Sequence, residues 1–237
     1  MALKGASRAL LKAVSVQQRK KRHRTVQKSE SILSSQTRRE IFEFLCNRPC
    51  SRISVIAKTI NISIPTVKWH IRKLLMSGYL KNFRKRRIMH YYPLGIISRD
   101  NINIYISLSN DINLGVFRYI YIYPGRTTDD MVHSLSINKS TLLTSISELK
   151  RSGLIINIRD GRKKRYFPTD KFDDFNKNIR IKWTAFRDGL MQKLIEERLF
   201  PNIKHASPDE TSIEIIIAGK PVYIAMKTDY RRLIFSG

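Results

Sequence analysis

Apolar residues between positions 34 and 77 recur at intervals of three and four, which is the spacing of one face of an α-helix. Pro49 interrupts the pattern, Ser63 is a favourable N-cap for a helix, and Gly78 ends the last periodic stretch. The sequence therefore predicts three helices, with apolar faces formed by Ile41, Phe42 and Leu45, by Ile53, Ile56, Ala57 and Ile60, and by Val67, Ile71 and Leu74.

A different pattern follows from Tyr79 to Tyr92, where apolar and aromatic residues flank a basic centre. This arrangement is typical of a two-stranded hairpin with a charged tip. The tip residues are Arg84, Lys85, Arg86 and Arg87. Three helices followed by a basic hairpin predict a winged helix, which we expect to occupy residues 31–96 (the first unit).

The stretch from Ile41 to Pro93 recurs, without gaps, as Val116 to Pro168 at a constant offset of 75 residues. We therefore expect a second winged helix at residues 111–169 (the second unit), with Asp160-Gly161 as its hairpin tip. The matching residues are Phe42 with Phe117, Pro49 with Pro124, Thr66 with Thr141, Ile71 with Ile146, Leu74 with Leu149, Ser77-Gly78 with Ser152-Gly153, and Tyr91-Tyr92-Pro93 with Tyr166-Phe167-Pro168.

Between the units, residues 97–110 contain isoleucine and leucine alternating with polar residues from Arg99 to Ser109. Such alternation favours a linker strand. After the second unit, residues 170–200 predict one long amphipathic helix, whose stripe is Phe172, Phe175, Ile179, Trp183, Phe186, Leu190 and Leu194. That stripe either forms a homodimer interface or packs on its own chain, and we expect the homodimer.

The two ends of the chain complete the expected organisation. Residues 1–30 are predicted to be a basic, flexible arm, and residues 206–237 to be a small β unit, with a hairpin around Ala218-Gly219 and then Tyr230 to Phe235. The predicted fold class is α+β and mainly α: two tandem winged helix-turn-helix domains, a long C-terminal helix and a small C-terminal β unit.

Charge narrows the choice of partner. The 237 residues include 45 Lys and Arg against 19 Asp and Glu, a formal net charge of +26. A charge of this size favours polyanions, and nucleic acid is favoured over an anionic membrane surface because each neutralised phosphate releases a counterion. No apolar run approaches the roughly 20 residues of a membrane span. We expect a cytoplasmic, nucleoid-associated protein that binds double-stranded DNA.

The segment Ile64-Pro65-Thr66-Val67-Lys68-Trp69-His70-Ile71-Arg72-Lys73-Leu74, followed by Ser77-Gly78-Tyr79-Leu80, resembles the recognition helix and wing entry of ArsR/MarR-type winged-helix regulators, especially archaeal ones. The resemblance covers about residues 36–93 and, more weakly, 111–168. It implies sequence-specific promoter binding, often by a dimer, and names neither a target nor an effector.

A winged helix inserts its third helix into the major groove, with the wing on the backbone or minor groove. In the first unit the outward residues of that helix are Ser63, Pro65, Thr66, Lys68, Trp69, Arg72 and Lys73. In the second unit the places of Lys68, Trp69, Arg72 and Lys73 are taken by Leu143, Thr144, Ser147 and Glu148. We therefore expect the third helix of the second unit, with Lys139, Ser140 and Thr144, to contribute less to DNA affinity. The wings supply Arg84, Lys85, Arg86 and Arg87, then Arg159, Arg162, Lys163, Lys164 and Arg165.

Enzyme and cofactor sites are not indicated. The chain has no phosphate-cradling glycine loop of the GxxxxGK[ST] or GxGxxG type, and we expect no catalytic residue, cofactor or metal. Cys46 and Cys50 are expected to be a buried and an exposed thiol; metal binding or redox sensing by the pair is the alternative. The alternative to a regulator is a component of the transcription machinery, or a nucleoid architectural protein, that binds without strong sequence preference.

Overall fold

The computed structural model describes residues 31–207 and 210–227. The predicted basic arm and the segment from Tyr230 to Phe235 lie outside the described residues. No helix in the described ranges is long and apolar enough to cross a membrane.

The first unit contains the three predicted helices, α1 (Gln36–Asn47), α2 (Ile53–Ile60) and α3 (Ile64–Met76), and the hairpin of β1 (Leu80–Lys85) and β2 (Ile88–Pro93). Asn61 ends α2 because it adopts the left-handed conformation, with φ of 57°. The two strands pair antiparallel from Leu80–Pro93 to Lys85–Ile88, and Ser51 forms a single additional bridge to Tyr91. The order of elements is that of a winged helix.

The predicted linker strand is wrong. Residues 99–101 form a 3-10 turn, and α4 (Ile102–Leu108) follows it. The buried side chains of α4 include Ile104, Tyr105 and Leu108, which share one face of a helix because they are one and four residues apart. Tyr105 lies at a position that the strand pattern assigned to the polar face, so its burial accounts for the difference.

The same order of elements recurs at the 75-residue offset. It comprises α5 (Asp111–Ile122), α6 (Thr128–Leu135), α7 (Lys139–Ser152), β3 (Ile155–Asp160) and β4 (Lys163–Pro168). Side chains cap these helices: Asn110, Thr127 and Asn138 each accept hydrogen bonds from backbone N–H groups of the following first turn.

The C-terminal part consists of α8 (Lys171–Glu196) and a sheet of β5 (Asn202–Ala206), β6 (Glu210–Ile217) and β7 (Lys220–Lys227). The strands are antiparallel in the order β5-β6-β7, and β5 was not predicted. The backbone N–H of Lys227 donates to the Asn47 side chain, which joins β7 to α1.

The apolar stripe of α8 is buried against other elements of the same chain. The Phe172 ring lies 5.0 Å from that of Phe117 in α5, and the Phe175 ring 4.8 Å from that of Tyr105 in α4. All seven stripe residues are at most 6% exposed. This corrects the expectation that the stripe is a homodimer interface, because the chain itself covers it.

Further along α8, the contacts shift to the first unit and the C-terminal sheet. The Trp183 Nε1–H donates to Thr211 Oγ1 at 3.1 Å, and the Lys193 ammonium donates to the Ser77 carbonyl while lying 4.4 Å from the centre of the Tyr79 ring. The helix α8 therefore holds both units and the C-terminal sheet together.

Candidate nucleic-acid interface

The third helix of the first unit has a buried face and a separate polar, exposed face. Val67, Ile71 and Leu74 are at most 2% exposed and anchor α3 to the core. Ser63 caps the helix, since its Oγ accepts from the Thr66 backbone N–H at 3.3 Å. These contacts fix the rotation of α3, and the predicted outward residues are all exposed: Ser63, Pro65, Thr66, Lys68, Trp69, Arg72 and Lys73.

The exposed face of α3 is positively charged and carries an unusual aromatic ring. Trp69 is 53% exposed; its ring meets the His70 ring edge-on at 4.8 Å, and the Lys73 ammonium lies 5.7 Å from its centre. Burial, followed by the Arg38 charge, lowers the pKa of His70, so this neighbour is neutral at physiological pH. Within the described residues, Lys68, Arg72 and Lys73 have no ion-pair partner, so their charges remain available to an anion.

The wing of the first unit has its charged tip in a strained turn. Arg86 and Arg87 are the two central residues, and both have positive φ, 46° and 65°. Arg84, Arg86 and Arg87 are exposed as predicted. Lys85 is half-buried instead, because its ammonium donates to Asn103 Oδ1 of α4 at 2.8 Å.

The third helix of the second unit, α7, has exposed predicted residues that already have partners. The Lys139 ammonium pairs with Asp129 at 3.2 Å, Ser140 donates to the cap residue Asn138, and Thr144 donates to the Ser140 carbonyl. The outer face of α7 also carries Leu143, which is 46% exposed, where the first unit has Lys68.

The wing of the second unit differs from the prediction at its turn. Its two central residues are Gly161 and Arg162, because Asp160 pairs with Lys163 across the ladder. Glycine with φ of 58° at the first central position is typical of a type II′ turn. The basic residues Arg159, Arg162, Lys163, Lys164 and Arg165 are all exposed, but Arg165 already donates to Asp160 at 2.6 Å.

A cavity of about 120 Å³ lies where the first wing adjoins α7. Arg52 before α2, Lys85 and Arg86 of the wing, and Arg151 at the end of α7 line it together with Glu148 and Asn103. We call it the basic cavity. Sequence analysis missed Arg52 and Arg151, because neither lies on a predicted recognition helix face or wing and only the packing of the two units brings them together.

The cysteines are both buried, which corrects the expectation that Cys50 is exposed. Burial raises the pKa of both thiols well above the ordinary range, and nearby Glu43 adds to the effect at Cys46. The thiolate is the form that binds metals and reacts with oxidants. Both thiols are thus held in their protonated, unreactive form.

Comparison with known proteins agrees with this geometry. Residues 34–81, which span α1 to the start of β1, match the family model described as winged helix-turn-helix DNA-binding. An uncharacterized HTH-type transcriptional regulator of Methanocaldococcus jannaschii is 24% identical over 148 residues. That alignment covers 62% of this chain and 37% of the relative, so the chain spans little more than a third of the length of this curated relative.

The solved structures matched by this chain align with about half of its length. An ArsR-like transcriptional regulator from a Rhodococcus species is 13% identical with a TM-score of 0.36, over 43% of this chain and 92% of that one. A MarR-like transcriptional regulator from Thermotoga maritima is 19% identical with a TM-score of 0.29, over 57% and 86%. Residues 34–81 thus match a winged helix-turn-helix DNA-binding family, and the resemblance of this chain to winged-helix transcriptional regulators is confirmed.

Proposed function

We propose that this protein is a transcriptional regulator that binds specific double-stranded DNA sequences through α3 of the first unit. The observation that carries the proposal is the exposed outer face of α3, where Lys68, Trp69 and Arg72 stand on a helix held rigidly by its buried side. Arginine and lysine donate to guanine edges in the major groove or to phosphates, and threonine contacts either.

The wings supply affinity in this proposal. Arg84 and Arg87 of the first wing, and the basic residues of the second, are exposed and contact the sugar-phosphate backbone or the minor groove. We propose further that residues 111–169 are a second, tandem winged helix whose third helix makes few base contacts. Where α3 carries Lys68 and Arg72, the outer face of α7 carries Leu143 and Ser147, and neither of these residues has a positive charge to attract phosphate.

The experiment is selection of bound duplexes from a random pool, read by sequencing, with the native chain and a Trp69→Ala, Arg72→Ala variant. The matched control is Thr144→Ala, Ser147→Ala, which alters the equivalent positions of α7. We expect the native chain and the control to select one motif. The α3 variant loses the motif but still binds DNA at low salt through the wings.

Two results would contradict the proposal. If the native chain selects no motif and binds all duplexes with the same salt dependence, it is an architectural or machinery protein, since phosphate contacts carry no sequence information. If the α7 variant loses the motif and the α3 variant keeps it, the second unit makes the base contacts.

A further inference from the structure

The basic cavity gathers cations from segments that are far apart in the sequence. Arg52 precedes α2, Lys85 and Arg86 belong to the first wing, and Arg151 lies in the last turn of α7. The volume of about 120 Å³ is several times the roughly 15 Å³ that one water molecule needs. The cavity therefore has room for a small polar group larger than water.

The positive charge of the cavity is not balanced by the protein that surrounds it. Four cations share the cavity with one carboxylate, that of Glu148, and Asn113 already donates to this carboxylate at 2.8 Å. In the described ranges, none of the four cations forms an ion pair. Like charges this close repel one another, so bringing them together is favourable when an anion completes the site.

Lys85 lies among charged residues of both units. Its ammonium is held in place by Asn103 Oδ1 at 2.8 Å. Burial lowers the pKa of Lys85, the charge of Glu148 opposes this effect, and the smaller contributions of Arg151 and Arg86 lower the pKa further. The lysine therefore lies within electrostatic range of residues from both units, and an anion in the cavity would contact both units at once.

We propose that the basic cavity binds one phosphate group, which Arg52, Arg86 and Arg151 contact from different sides. Guanidinium groups bind phosphate with paired, charge-assisted hydrogen bonds, and Lys85 adds a point charge. Binding links the first wing to α7 and fixes the position of the wing. The phosphate belongs either to a free phosphorylated ligand or to the DNA backbone, and only the second source rests on the proposed function.

The test uses the full chain with Arg52→Gln and with Arg151→Gln. Both side chains are exposed, so the substitutions leave the core intact, and equal unfolding midpoints check this. The matched control is Lys177→Gln, which removes one exposed positive charge from α8, away from the cavity.

In the first arm, inorganic phosphate is titrated into each protein by calorimetry in chloride buffer. For a free ligand we expect saturable one-to-one binding to the native chain and to the control, weakened about tenfold or more in the two cavity variants, as loss of a charge-assisted contact predicts. In the second arm, DNA affinity is measured against salt concentration. For a backbone phosphate we expect the slope of log affinity against log salt to shrink in each cavity variant, by at most about 0.9 because that is the value for loss of one whole phosphate contact, and not to change in the control.

The outcomes separate the two sources and the two proposals. Binding of inorganic phosphate that the cavity variants lose assigns the site to a free ligand, and a change confined to the salt slope assigns it to the DNA backbone. If both cavity variants match Lys177→Gln in both arms, the phosphate site is refuted. If the native chain fails to bind DNA, the proposed function is refuted. The phosphate titration still shows whether the cavity binds phosphate.

Discussion

We expect Arg87 to lower the folding stability of the first wing through its backbone conformation and to strengthen DNA binding through its charge. Arg87 is the second central residue of the hairpin turn, and its φ is 65°. A type I′ turn requires positive φ at both central positions and favours glycine at the second. The substitution Arg87→Gly therefore removes an unfavourable backbone conformation and a positive charge together.

The expected gain in stability follows from two opposing terms. A left-handed conformation costs an L-residue about 1–2 kcal/mol. Glycine offsets about 0.4–1 kcal/mol of this gain, because a chain with glycine has more conformations to lose when it folds. We expect Arg87→Gly to raise the free energy of unfolding by roughly 0.8 kcal/mol, the difference between the mid-values of these two terms. We also expect it to reduce the salt slope of DNA binding by about 0.9, as loss of one phosphate contact does.

The control is Arg87→Gln, which removes the same charge but keeps the Cβ and hence the strain. Urea unfolding followed by circular dichroism measures stability, and fluorescence anisotropy with labelled duplex at several salt concentrations measures DNA binding. We expect both variants to bind DNA equally weakly and only the glycine variant to be stabilised. The reasoning is refuted if the two variants have the same stability, or if either retains native DNA affinity.

Three further predictions concern buried or half-buried groups. Trp183→Phe removes the hydrogen bond to Thr211, leaves a fully buried hydroxyl without its donor, and should cost about 1–3 kcal/mol in urea unfolding; an unchanged midpoint would contradict the role of α8 in holding the C-terminal sheet. Burial raises the pKa of Glu43 from 4.5 to about 7, so folding favours its protonated form, and this contribution is present below pH 4.5 and is lost as the pH rises through 7. Glu43→Gln should therefore stabilise the protein relative to the native chain more at pH 8 than at pH 5, and a constant difference would show that the carboxyl is not perturbed. Cys46 and Cys50 should react with a thiol reagent only after unfolding, because both are buried. Rapid labelling of the native protein would instead support redox sensing by the pair.

The local elements of the first unit were predictable because single residues determine them. Ser63 caps α3, Gly78 follows it, and the spacing of Val67, Ile71 and Leu74 decides which side of the helix is buried. The exposure of Trp69 and Arg72 follows directly from that spacing. The α3 face of the candidate site was therefore available from the sequence.

Features that depend on packing between distant segments were not predictable. The alternating isoleucines of 102–108 suit a strand, yet Tyr105 packs against Phe175 and the segment is the helix α4. Cys50 is buried although it lies in a turn. Its backbone carbonyl oxygen lies within hydrogen-bond distance, 2.7 Å, of His90 Nδ1. The basic cavity likewise arises only when the two units meet, since no local pattern links Arg52 with Arg151.

The helix α8 also determines the order in which the chain can complete its fold during synthesis. The ribosome synthesises the first unit, α4 and the second unit before residues 171–196. The apolar surfaces around Tyr79, Tyr105 and Phe117 therefore emerge without the helix that covers them. Exposed apolar surface of this kind promotes aggregation of nascent chains. We expect the described part of the chain to reach its native packing only after Leu194 has been synthesised. A chain truncated before residue 171 should therefore depend on chaperones to remain in solution.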